Sequence, residues 1–103
     1  MAETLKKIPY DLISYIQIET EAISDSSDKQ ILSSYCIGKL EMVNWYIELL
    51  EVGSKKYIVP HSKQQLETIR RQLVDCHRKI MNVKINKPNN PNNSWGYPEG
   101  YEG

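Results

Sequence analysis

Cys36, Cys76, His61 and His77 are the only thiols and imidazoles in this chain, so soft-metal binding or thiol and imidazole catalysis has to be built from them. Their spacing does not build it. Cys76 and His77 are adjacent, so on a helix they point about 100° apart, whereas a metal favours ligands at i and i+4 on one face. No C-x-x-C pair exists for zinc or for redox exchange. The two thiols read as buried apolar side chains and the two histidines as exposed ones, with His61 just ahead of a helix N-cap. Serines and acids are present, but no G-x-S-x-G elbow, Walker loop, G-x-G-x-x-G run, H-E-x-x-H pair or E-x-x-H carboxylate-bundle ligand occurs. The expectation is a chain with no catalytic residues, no metal and no cofactor, and therefore not an enzyme.

Binding chemistry is better supplied. Trp95, Tyr97 and Tyr101 are spaced by Gly and Pro on an otherwise polar stretch, the composition of a linear element that docks on a partner or a neighbouring subunit. A second aromatic set, Tyr35, Met42 and Trp45, falls at helical spacing. Between Ser62 and Lys87 seven bases face two acids, and Arg70, Arg71, Arg78 and Lys79 can hold an anionic ligand such as a nucleotide or a nucleic-acid backbone. The plainer reading of these bases is a solvated face answering an acidic first half. Residues 1–54 carry nine acids and four bases, residues 55–103 nine bases and four acids, and the whole chain is neutral.

Those side chains need helices to position them. Pro9, suited to a first helical position, opens an apolar pattern through Leu12, Ile13, Tyr15, Ile16 and Ile23, which predicts a short helix over 9–23. Ser24 to Asp28 breaks it, with Asp25 or Ser27 as the next N-cap. From Lys29 to Val52 two stripes alternate steps of three and four: Ile31, Tyr35, Gly38, Met42, Trp45, Leu49 and, beside it, Cys36, Leu40, Val43, Ile47, Leu50. Together they make a face too wide for one neighbouring helix. Gly53 suits the left-handed end of this long helix. Tyr57-Ile58-Val59 favours extended backbone ahead of Pro60, and the S-x-x-Q capping box Ser62–Gln65 opens a third helix carrying Leu66, Ile69, Leu73, Cys76, Ile80 and Val83.

The fold class that follows is all-α: a small three-helix domain over 1–85 with a long central helix forming an antiparallel hairpin with the third. Residues 86–103, rich in Pro, Asn and Gly, follow as an extended tail. In that hairpin, residues whose numbers add to about 112 lie level, which places Cys36 near Cys76 and Gly38 near Leu73 or Val74, where a glycine allows close helix approach. The thiols are expected to stay reduced. A core of this size rarely supplies more than about 3 to 5 kcal/mol unaided, so self-association into a homo-oligomer is expected. No stretch reaches the roughly 18 apolar residues of a membrane span, and the N-terminal sequence has no apolar signal region, which makes a cytoplasmic protein the expectation. The leading functional reading is a protein–protein interaction module, an assembly component or a small inhibitor. The high Ile, Asn and Lys content would suit a phage or mobile-element product. The alternative reading is an oligomeric binder of anionic ligands, a nucleotide sponge or nucleic-acid-binding protein.

Overall fold

The computed structural model describes residues 1–85; Trp95, Tyr97 and Tyr101 lie with the rest of 86–103 outside the described residues. Along the chain run β1 (Glu3–Thr4), α1 (Leu12–Glu21), α2 (Ser26–Val52), β2 (Tyr57–Ile58) and α3 (Lys63–Met81). Helices dominate, as their apolar periodicity dictates, and the strands form one two-residue parallel pair.

The helix ends follow local chemistry. Asp25, in extended backbone, accepts the Asp28 N–H at 2.8 Å and starts α2. Gly53 ends it with φ of 66°, while the Gly53 and Ser54 N–H groups return to the Leu50 and Leu49 carbonyls. Ser62 and Gln65 form the reciprocal capping box: the Gln65 N–H donates to Ser62 Oγ at 3.1 Å and the Ser62 N–H to Gln65 Oε1 at 2.9 Å. Boundaries differ from the sequence reading at both ends of α1, which stops at Glu21 rather than Ile23, and at the end of α3. Pro9 does not begin α1; its carbonyl closes a turn by accepting the Leu12 N–H, and the helix proper starts at Leu12. The last helix stops at Met81, with Asn82 as its cap, so Val83 lies outside the helix.

α2 and α3 pair antiparallel in the expected register. Cys36 Sγ donates to the Leu73 carbonyl at 3.4 Å, Ser33 Oγ meets His77 Nε2 at 3.2 Å, Lys29 Nζ donates to the Val83 carbonyl at 2.9 Å, and Glu51 pairs with Lys63 at 3.1 Å across the loop end. The core lies between the two helices and is closed from one side by α1. Leu32, Cys36, Val43, Tyr46 and Ile47 of α2 meet Leu66, Leu73, Cys76 and Ile80 of α3 under Ile8, Leu12 and Ile16. The Cys36 stripe is thus the intramolecular one. Gly38, expected against α3, instead sits exposed with open space where its Cβ would be. At 100° per residue it lies 200° round the helix from Cys36, which holds α3.

The strand pair ties the N-terminus to the hairpin loop. Glu3 pairs with Tyr57 and Thr4 with Ile58, and the Glu3 and Leu5 N–H groups donate to the Lys56 and Ile58 carbonyls at 3.0 and 2.9 Å. The extended preference of Tyr57-Ile58 is realised here; its partner strand had no signal of its own in the sequence.

Candidate interaction surface

With one stripe of α2 committed to the core, the other faces outward. Ile31 keeps 66% of its surface exposed and Trp45 42%; Tyr35 is also exposed, while Leu49 is half-buried and Met42 is half-buried against the core. Val52, 69% exposed, continues the stripe to the end of the helix. The result is one line, 31, 35, 38, 42, 45, 49, 52, alternating steps of four and three over most of a 27-residue helix.

Rings from other elements border this line at two points. Tyr15 of α1 meets Tyr35 edge-on with centroids 5.7 Å apart, and Tyr57 of β2 meets Trp45 likewise at 5.4 Å. Lys39 lies 5.2 Å from the Tyr35 ring and Lys56 5.5 Å from the Tyr57 ring, so each end of the aromatic line carries a cation over a π face. Tyr15 and Tyr57 were not among the expected site residues. The only sequence signal for them was their aromatic type at the ends of neighbouring elements.

The basic residues of α3 are arranged differently. Arg78 and Lys79 both reach Asp75, Lys79 at 3.3 Å, and the Lys79 hydrogen bond is the main cause holding the Asp75 carboxyl below its ordinary value. Arg70 donates to Asn44 Oδ1 at 3.2 Å. Arg71 borders a shallow depression with Gln17, Val74 and Arg78. The four cations share one helix, with a carboxylate set between Arg71 and the Arg78–Lys79 pair.

The thiols and imidazoles lie where their chemistry is quiet. Cys36 and Cys76 are both free and buried. Burial, with the neighbouring Cys76, pushes the Cys36 thiol up to about 11, and burial, with Asp75, raises Cys76 as well, so neither is a ready thiolate. His77 is half-buried and touches Ser33, which also reaches Met81 Sδ at 3.7 Å, and among the described residues no carboxylate hydrogen-bonds to its ring to complete a triad. His61 is not an exposed side chain either. It is half-buried because it accepts the Ile8 N–H on Nε2 at 3.0 Å and stacks on Tyr46 at 6.5 Å. Among the described residues no group of three His, Cys, Asp or Glu side chains can hold a metal ion. No helix there is long and apolar enough to cross a membrane.

Among the described residues, fold and surface together define a small three-helix unit whose longest helix has one buried and one largely outward apolar stripe. Comparison with family models, curated proteins and solved structures finds no match to this chain.

Proposed function

We propose that this chain is a protein–protein interaction module without catalytic function, an assembly component that docks through the outward stripe of α2. The observation that carries the reading is the stripe's continuity. Seven positions from Ile31 to Val52 keep the three-and-four spacing with which one helix receives another, although α3 packs on the neighbouring stripe and α1 reaches this one only at its Tyr35 end. A helix of matching length is supplied by α2 of a second copy, which makes a homo-oligomer the form of the proposal. A small inhibitor would present the same stripe to a helix of its target. In either case Tyr35, Met42 and Trp45 are the contact residues, and the aromatic residues Trp95, Tyr97 and Tyr101 add a second docking element to the reading. The anionic-ligand alternative has less support, because Arg78 and Lys79 already hold Asp75 and Arg70 already donates to Asn44.

Sedimentation equilibrium of the full chain tests this over a range of concentration. The expected outcome is an oligomer mass for wild type and a shift toward the monomer for Trp45→Glu, with helicity by circular dichroism unchanged because Trp45 is already partly in water. A wild-type chain that stays monomeric at every concentration, or a variant that assembles as well as wild type, overturns the self-assembly reading.

A further inference from the structure

The N-terminal segment before α1 is held by three different kinds of partner. Its strand residues use the loop backbone, through the Glu3 and Leu5 N–H groups. Its Lys6 carbonyl accepts the Tyr46 hydroxyl at 2.7 Å. Its last anchor is the Ile8 N–H, which donates to His61 Nε2 at 3.0 Å across 53 residues of chain. The first two anchors do not change with pH near neutrality: backbone groups do not titrate, and burial raises Tyr46 above its ordinary range, so its hydroxyl keeps its proton. The third does change, because an imidazole nitrogen accepts a hydrogen bond only while it carries no proton.

We propose that residues 1–8 form an acid-released strap, latched by the hydrogen bond from the Ile8 N–H to His61 Nε2, whose opening uncovers the apolar ground beneath Leu5 and Ile8. The inference is independent of the docking stripe on α2. A proton on Nε2 sets two donors against each other at 3.0 Å. It also places an imidazolium beside Lys7, which belongs to the strap itself, so repulsion acts in the direction of opening. Tyr46 of α2 stacks on the His61 ring, and the neutral Gln64 and Gln65 of α3 line the same groove as His61. Among the described residues no carboxylate lies within ion-pair distance of His61 to shelter the charge. The ground uncovered is apolar: Ile8 is buried in the core cluster, Leu5 packs on it, and Ile8 and His61 share the wall of an open groove with Leu12, Ile13 and Ile69.

The sign follows from the same contacts. Burial first, and Lys7 second, hold the folded imidazole below its ordinary value near 6.5, so the closed strap favours the neutral ring. Its contribution is complete above about pH 6.5 and is lost as pH falls through the lower folded value.

Amide hydrogen exchange of the full chain, followed by NMR and normalised to intrinsic rates, reads the latch directly. Between about pH 7.5 and pH 5, protection of the Glu3, Leu5 and Ile8 amides is expected to fall together, while Val43 and Leu73 keep theirs. The midpoint should coincide with the titration of the His61 ring carbons in the same sample. His61→Gln keeps an acceptor that does not titrate and should flatten the pH response. Tyr46→Phe should loosen the strap at every pH and leave the midpoint in place. Strap protection that stays flat while the His61 ring titrates, or a pH response that survives in His61→Gln, overturns the proposal.

Discussion

The two long faces of α2 have similar residue types and opposite fates. Cys36, Val43 and Ile47 are shut into the core against α3, whereas Ile31 and Val52, equally apolar and equally regular, stand mostly in water and Trp45 stays partly exposed. Hydropathy does not separate them; position relative to α3 does. Once Cys36 bonds to the Leu73 carbonyl and Leu32, Val43 and Ile47 turn with it, the second stripe has to point away, because both lie on one rigid helix. A helix with more apolar surface than its own fold uses is thus the source of both the hairpin and the candidate docking surface.

The contrast can be broken by substitution. Leu73→Ala should cost about 2 to 5 kcal/mol in urea denaturation, because Leu73 is fully buried opposite the Cys36 stripe and its removal leaves a cavity. A cost under about 1 kcal/mol would mean that this interface is not the principal core. Ser62→Ala removes one half of the capping box that starts α3 and should cost about 1 kcal/mol, read as a lower urea midpoint at constant slope. Gly38→Ala should act in the opposite direction. Nothing lies within 4 Å of the added methyl and the backbone is helical, so the monomer should gain up to about 1 kcal/mol, while an oligomer that packs Gly38 closely should weaken. Ile31→Ala should change monomer stability by no more than about 0.5 kcal/mol, since most of that side chain is already solvated. A large loss there would make the outward stripe part of the monomer core and remove the contrast.

Much of this fold was legible because its signals are local. The capping box at Ser62, the left-handed glycine at Gly53 and the three-and-four spacing of Leu66, Leu73, Cys76 and Ile80 each require only neighbouring residues, and each is realised. The hairpin register followed from helix geometry alone, as the Ser33–His77 and Lys29–Val83 contacts bear out. What the sequence did not disclose is non-local. Tyr46 lies between the two stripes and is buried because the Lys6 carbonyl, 40 residues away, accepts its hydroxyl. His61 likewise leaves the solvent for an amide on the far side of the chain. The candidate site was half legible: Tyr35, Met42 and Trp45 were visible from spacing, but not the Tyr15 and Tyr57 rings at its ends, whose placement needs the tertiary fold. Gly38 was misplaced because a small residue in a helix fits close packing and open exposure equally well; only the turn of α2 distinguishes the two.

The pairing of residues 3 and 4 with 57 and 58 also has a kinetic consequence. The α2–α3 hairpin can zip from its own short loop, whereas the strand pair must close a chain segment of more than fifty residues for a few backbone hydrogen bonds. Refolding should therefore build the hairpin first and seat the N-terminus last. Among the described residues, a protease acting on the native protein should find its earliest cleavage sites ahead of Leu12, and a fusion attached to Met1 would bear on this late-formed contact.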